Sequence, residues 1–280
     1  MIASSTADLS GNQINAVEYI ALLKKVLLNA IYDGAERTTM LSRSPWYRKL
    51  ANRVFRRFGI RLTEPADLSL LLEGRCWPVW AHTMIGRKRL DNIQFCVEQI
   101  INDRIEGDLI ETGVWRGGAC ILMRGILKVY GVTNKLVWVA DSFEGLPKPT
   151  NKIDKHDPAG NHYRDSELAV SLEQVEANFS AYGLLDEQVR FLKGWFRNTL
   201  PKAPIEKLAL MRLDGDLYES TMDALVNLYP KLSIGGYVIV DDYNNIPACK
   251  KAVEDYRGKF GIRENIVNVD WTAAYWQRKQ

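Results

Sequence analysis

Two acidic pairs dominate the chemistry open to this chain. Asp214-Gly215-Asp216 closes the apolar run 208–213, and Asp241-Asp242 closes the run 237–240. If these runs are strands lying side by side, four carboxylates converge at one sheet edge, where like charges a few ångströms apart cannot all ionise cheaply. A hard divalent cation with oxygen ligands resolves the repulsion. Mg2+ suits a few carboxylates, with its other positions left to water or substrate. Asp214 and Asp216, two apart, point the same way if the strand continues through them, so that one can ligate metal while the other acts as a base. A lone aspartate at a strand end is a turn or cap residue; two acidic pairs at two strand ends ask for a cation.

A second group lies upstream. Leu109-Ile110 leads into Glu111-Thr112-Gly113-Val114-Trp115-Arg116-Gly117-Gly118, a strand-to-helix turn whose glycines let backbone approach a ligand and whose helix offers free N–H groups. The spacing is G-x-x-x-G-G, not the dinucleotide pattern G-x-G-x-x-G. The run 136–140 ends in Asp141, where an acid can accept from both ribose hydroxyls. An acidic loop with ribose recognition suits an adenosyl ligand carrying a sulfonium cation better than one carrying a pyrophosphate. His82, His156 and His162 are scattered and read as structural or loop residues. No G-x-S-x-G elbow and no Walker lysine occur, which removes the main support for hydrolase and P-loop readings.

These residues need a scaffold, and the pattern supplies one. From residue 107 short apolar runs alternate with helical stretches: strands at 109–112, 136–140, 189–192, 208–213 and 237–240, with helices to about 130, at 167–182 and at 220–232. Gly235-Gly236 reads as the turn into the strand at 237. Near-continuous apolar strands separated by helices define a parallel sheet covered on both faces, and the run 266–276 supplies an antiparallel edge. The polar stretch 148–166, with Pro149, Pro158, Gly160 and two of the three histidines, reads as a long functional loop or lid. Ahead of the sheet, apolar spacing predicts a helix over 14–32 ending near Asp33-Gly34. The segment 43–61 has seven basic residues and no acid, with Trp46, Leu50, Val54 and Phe58 every fourth position. On a helix this is an apolar stripe flanked by arginines. It either meets an anionic partner such as a membrane interface or, the preferred reading, packs on the main domain or a second subunit.

Composition sets the outer limits. With 280 residues, 46% of them hydrophobic and 25% charged, the chain can bury a substantial core and is not disordered. Lys+Arg 37 against Asp+Glu 34 is too balanced to argue for nucleic acid. No stretch approaches the roughly 18 apolar residues of a membrane span, and no secretion signal is visible. The four dispersed cysteines read as reduced thiols, so a cytoplasmic protein is expected.

Taken together, Ala81 to Gly86, Asp108 to Cys120, Ala140 to Pro147, Arg212 to Thr221 and Val240 to Tyr243 resemble the macrocin O-methyltransferase (TylF) family. Its members include sugar O-methyltransferases of macrolide and aminocoumarin pathways. The resemblance covers 14–32 and 75–280. It implies an α/β class I methyltransferase fold, Rossmann-like, with a seven-stranded, mostly parallel sheet whose last strand is antiparallel. Residues 1–74 would form a helical extension and 75–280 the S-adenosyl-L-methionine-dependent domain. By the same resemblance Glu111, Thr112, Gly113 and Gly117 hold the methionine part of the cofactor. Asp141 binds the ribose with Ser142 beside it, Gly194 and Trp195 lie near the adenine, and Thr83 and Met84 close over the cofactor. Asp214, Asp241 and Asp242 match the magnesium ligands and Asp216 the general base. The basic stretch 34–65 departs from the antibiotic enzymes.

The expected function is thus Mg2+-dependent methylation of a sugar hydroxyl on a small-molecule or glycosylated acceptor. A catechol-like vicinal diol is the alternative acceptor. A non-catalytic membrane-peripheral binding protein working through 43–61 is the alternative class, disfavoured by the intact set of four aspartates. Trp and Tyr in the N-terminal third point to a homo-oligomer.

Overall fold

Apolar runs broken by acids, glycines and amphipathic stretches fold here as strands whose polar ends all gather on one side. The computed structural model describes residues 6–32, 38–40 and 46–280. The chain packs as two units, Met1–Leu90 and Asp91–Gln280.

The first unit contains α1 (Thr6–Leu27), β1 (Thr38–Met40), α2 (Trp46–Arg56), β2 (Thr63–Pro65) and α3 (Leu68–Leu72), and α4 (Gly86–Asn102) begins in it. In α1, Ile20, Leu23 and Leu27 are buried. This helix ends sooner than its apolar spacing predicts, because Asn29 takes a φ of 55° and leaves Ile31 exposed; Asp33 and Gly34 lie outside the described residues. β1 pairs antiparallel with β2, Thr39 opposite Glu64. The predicted basic helix is α2, and residues 43–45 of its segment lie outside the described residues. Within this chain its stripe is exposed, at Trp46, Leu50, Val54 and Phe58, with Trp46 at 76%.

The second unit holds β3 (Asp108–Thr112), α5 (Gly118–Val129), β4 (Val137–Asp141), α6 (Lys152–His156), α7 (Leu172–Ala181), β5 (Val189–Lys193), α8 (Phe196–Thr199), β6 (Leu208–Leu213), α9 (Tyr218–Leu228), β7 (Leu232–Val240), α10 (Pro247–Phe260), β8 (Val267–Asn268) and β9 (Ala274–Gln277). The sheet order is β5-β4-β3-β6-β7-β9-β8. The first five strands of this order run parallel, while β9 lies antiparallel to β7, with Val238 opposite Trp276. One face buries Ile110, Met211, Leu213, Val238 and Val240 against Ala224, Leu225 and Leu228 of α9 and Val253 and Tyr256 of α10. Burial of that many aliphatic side chains, at roughly 25 cal/mol per Å2 of apolar surface, is what holds the carboxyl ends of the strands in register.

Two expectations change. Gly235 and Gly236 sit inside the nine-residue strand β7, not in a turn before it; Gly235 takes a φ of 87° where the pairing with β6 shifts register. The stretch 148–166 is ordered, with α6 followed by a 3-10 turn over Pro158–Arg164 and another at Ser166–Leu168. Strand order reverses between β3 and β6. That is the switch point where open α/β sheets bind ligands, and the acidic residues of both strands end there. No helix among the described residues is long and apolar enough to cross a membrane.

Candidate active site

Gly113 brings the two sides of the switch point together. Its φ is 85°, and a Cβ there would run into the carbonyl oxygen of Asp214. The Asp214 N–H donates to the Thr112 carbonyl at 2.9 Å, tying the loop after β3 to the loop after β6.

Beneath these loops lies a residue to which the sequence reading gave no role. Arg212, within β6, is fully buried. Its Nη1 donates to Oε1 of Glu111 and, at 2.8 Å, to Oδ2 of Asp214, while Nη2 donates to Oδ1 of Asp241. One guanidinium therefore holds three carboxylates from the ends of three neighbouring strands. Burial works against its charge, but Asp241, Asp214 and Glu111 keep its pKa well above the ordinary arginine value. Glu111 also accepts from Sγ of Cys120 on α5 at 2.9 Å, so both of its oxygens have partners inside the protein. Burial raises the Glu111 carboxyl despite Arg212. Burial and the Asp241 charge push Asp214 up to about 8. A mid-strand arginine in an apolar run was the available signal, since a charge at that position has to find buried partners.

Above Arg212, oxygen atoms of Asp214, Asp216 and Asp242 lie within 4.8 Å of one another. The strand does not continue through Asp214-Gly215-Asp216 as the two-residue spacing suggests. β6 ends at Leu213, and Asp216 reaches the group from a left-handed turn with φ 57°. Oδ2 of Asp242 is buried without a hydrogen-bond partner, and burial together with Asp216 and Asp214 raises its pKa well above the usual carboxylate range. An orphaned buried carboxylate oxygen among three acids is an all-oxygen donor set that fits a hard divalent cation. Of the residues expected to ligate magnesium, Asp214 and Asp242 are in this group, and Asp241 stands beside it on Arg212.

Asp216 has a second neighbour. Nδ1 of His162, on the 3-10 turn, lies 2.6 Å from its Oδ2, both side chains being half-buried. That hydrogen bond raises the His162 pKa against the opposing effect of burial. Reasoning from sequence passed over His162, because 54 residues separate the pair.

The cofactor-side residues occupy the adjoining loops. Thr112 is buried at the end of β3, and Gly117, with φ 84°, caps α5 without a side chain, leaving the helix N-terminus to backbone donors alone. Asp141 accepts the Val114 N–H at 2.7 Å through Oδ2 and the Phe143 N–H at 2.8 Å through Oδ1. Burial nonetheless raises its pKa. Ser142 Oγ also approaches Oδ1 at 3.4 Å, and the Trp115 N–H adds to the donors around this carboxylate. Ser142 Oγ donates to the Gly145 carbonyl at 2.7 Å, and the Gly194 N–H donates to the Asp141 carbonyl at 2.8 Å. Trp195, half-buried, is the residue just before α8. Trp115, Phe143 and Asp216, non-glycine residues with φ of 47°, 59° and 57°, follow β3, β4 and β6, and strain of that kind gathers at functional sites. Thr83 is buried and Met84 half-buried in the first unit, the Ile85 N–H donating to Thr83 Oγ1 at 3.4 Å.

A sheet that reverses at β3/β6, ends antiparallel and carries acidic loops at its carboxyl edge has the fold of a class I methyltransferase. The family model described as macrocin-O-methyltransferase (TylF) matches residues 16–278, and the chain belongs to that family of O-methyltransferases, whose chemistry implies S-adenosylmethionine. The chain is 52% identical over 266 residues to the demethyldecarbamoylnovobiocin O-methyltransferase of Streptomyces niveus, covering 93% of each. It is 51% identical over 263 residues to the 8-demethyl-8-(2,3-dimethoxy-alpha-L-rhamnosyl)-tetracenomycin-C 4'-O-methyltransferase of Streptomyces olivaceus, covering 92% of each. Among solved structures, that of the O-methyltransferase NovP superposes with a TM-score of 0.83 at 49% identity, over 95% of this chain and 100% of the other.

Proposed function

We propose that this enzyme methylates a sugar hydroxyl of a glycosylated natural product with the help of a divalent cation, Asp216 serving as the general base. The observation that carries the reading is the group of Asp214, Asp216 and Asp242 at the switch point, with Oδ2 of Asp242 buried and unpartnered. The relatives' named substrates support the acceptor class.

S-adenosylmethionine supplies a methyl group made electrophilic by its sulfonium. Mg2+ would supply Lewis acidity that lowers the pKa of the acceptor hydroxyl. Asp214 and Asp242 would hold the cation, with Asp241 as third ligand. The Arg212 contacts to Asp214 and Asp241 fix two of the three, as outer partners of metal ligands do. Asp216 takes the hydroxyl proton onto its carboxylate as that oxygen accepts the methyl and the carbon–sulfur bonding pair stays on sulfur. An aspartate is a weak base for an unassisted alcohol, so base and cation act together. With the Glu111 carboxylate engaged by Arg212 and Cys120, the methionine part of the cofactor would rest on the backbone of Thr112 to Gly117. Asp141 would accept from the ribose, and Gly194 and Trp195 would flank the adenine.

The test is calorimetric titration with S-adenosylhomocysteine in Mg2+ and in EDTA, paired with turnover of demethyldecarbamoylnovobiocin as probe acceptor. Binding in both buffers with turnover only in Mg2+ is the expected result. Full turnover in EDTA would remove the cation from the reaction.

A further inference from the structure

The stretch 151–164 is fastened to the two helices that follow the acidic loops. Leu217, which precedes α9, and Ile246, which precedes α10, cannot cap their helices with side chains. Both caps come from this stretch instead. Asp154, fully buried, accepts the Tyr218 N–H at 2.6 Å and the Glu219 N–H at 3.2 Å in the first turn of α9. Asp157 accepts the Ala248 N–H at 2.8 Å in the first turn of α10 through Oδ2. Through Oδ1 it accepts the Ala159 N–H at 2.9 Å, starting the 3-10 turn that carries His162. A Cβ at Gly160 would collide with the Asp154 carbonyl, so the turn lies directly on α6. Carboxylates at helix N-termini satisfy otherwise orphaned donors and meet the positive end of the helix dipole.

The two anchor points bracket the site in sequence. α9 begins two residues after Asp216, and α10 begins five residues after Asp242. The loop that delivers His162 is therefore referenced to the same two helices that place the carboxylates. Asp216 itself sits in a left-handed turn outside any strand, where sheet hydrogen bonding does not set its direction.

We propose that His162 is a positioning residue for the methyl transfer: it donates from Nδ1 to Oδ2 of Asp216 and so aims the carboxylate's other oxygen at the acceptor hydroxyl. This rests on the reading of Asp216 as the base. Asp154 and Asp157 hold the loop in the geometry that makes the contact. A side chain that orients a catalytic group restricts it to productive directions, and the gain appears in kcat rather than in binding.

The experiment compares wild type with His162→Phe, His162→Asn and Asp216→Asn in the full-length protein. Turnover of the probe acceptor is measured, with S-adenosylhomocysteine titration and thermal melting to confirm folding. His162→Phe is expected to lower kcat roughly 10- to 100-fold, the usual cost of losing an outer hydrogen-bond partner, with both KM values unchanged. His162→Asn, whose amide N–H takes the place of Nδ1–H, is expected to recover most of the loss. A far-downfield imidazole N–H proton in the NMR spectrum of the cofactor-free wild type is expected, and its loss in His162→Phe and Asp216→Asn gives a readout independent of turnover. Wild-type kcat in His162→Phe, or no downfield proton in wild type, overturns the proposal while leaving Asp216 as base. An Asn variant as slow as the Phe variant overturns it in favour of His162 itself taking the proton. Full turnover in Asp216→Asn overturns the base reading and this inference together.

Discussion

Replacing Arg212 by methionine removes one buried cation and leaves three carboxylates with a gap of nearly the same shape. Of the three contacts Arg212 makes, those to Glu111 and Asp241 meet carboxylates that are themselves almost fully buried. At about 1.5–3 kcal/mol for a hydrogen bond to a charged group, those two contacts sum to roughly 3–6 kcal/mol. Breaking a buried ion pair from one side costs about 3–5 kcal/mol, which agrees. Arg212→Met should therefore lose about 3–5 kcal/mol in urea unfolding in EDTA, with the slope against urea unchanged. The melting temperature should fall by roughly 5–9 °C, because the unfolding entropy of a chain of 280 residues is about 0.6 kcal/mol/K. Arg212→Lys keeps the charge but not the planar fork that meets three acceptors, so it should recover less than half of the loss. A loss in Arg212→Met below about 1 kcal/mol would mean that the carboxylates relax into solvent, and the idea of a buried hub would fail.

Other perturbations separate the remaining roles. Asp216→Asn should bind Mg2+ as wild type does while losing turnover by about 100-fold or more; Asp241→Asn should instead weaken Mg2+ binding by roughly 10- to 100-fold. Equal loss of metal affinity in the two variants would make Asp216 a ligand. Gly113→Ala should cost at least about 2 kcal/mol, because alanine resists a positive φ and its Cβ meets the Asp214 carbonyl; unchanged melting would refute the close approach. Arg124 grips Asp186 with two hydrogen bonds of 2.9 and 2.7 Å, and the pair holds the Asp186 carboxyl below its usual value. A depressed carboxylate contributes stability that is present above its unfolded pKa near 3.9 and lost as pH falls through its folded value. The stability gap between wild type and Asp186→Asn should therefore be constant near neutral pH and close in acid. A gap that widens in acid would reverse the assigned sign.

Much of the sheet was legible because burial on both faces leaves a near-continuous apolar run in each strand. The runs ending at Asp141, Leu213 and Val240 appear as β4, β6 and β7, and the antiparallel end strand follows from the last apolar stretch. The carboxylates were legible because acids at strand ends break the apolar pattern. What periodicity cannot show is tertiary pairing. Arg212 looks like an ordinary interruption of a strand until its three partners are placed, and His162 looks like a loop histidine until Asp154 and Asp157 dock its turn. The stretch 148–166 hid its contacts for the same reason: its composition reads as a long functional loop or lid, and nothing in it shows that two of its acids cap helices far away in sequence. In α2 the stripe was legible as a stripe; its exposure at Trp46 and Leu50 was not, because amphipathic spacing says which side chains share a face and nothing about what covers them.

The distribution of charge explains why the site needs more than its aspartates. Glu111, Asp214, Asp216, Asp241 and Asp242 stand at the ends of three adjacent strands. If an exchangeable cation were their sole counter-charge, folding would be tied to metal, as in small metal-nucleated domains. Arg212 divides the problem. From below it neutralises the layer formed by Glu111, Asp214 and Asp241, and its own charge is held on by those same groups. The upper layer, Asp214, Asp216 and Asp242, is left with one orphaned oxygen and with His162 at its rim. A strand residue thus supplies a permanent cation beneath the carboxylates, and the proposed Mg2+ would be the second, removable one above it. On this account wild type folds cooperatively in EDTA and gains further stability from Mg2+, whereas Arg212→Met, deprived of the inner cation, depends on added Mg2+ for more of its stability than wild type does.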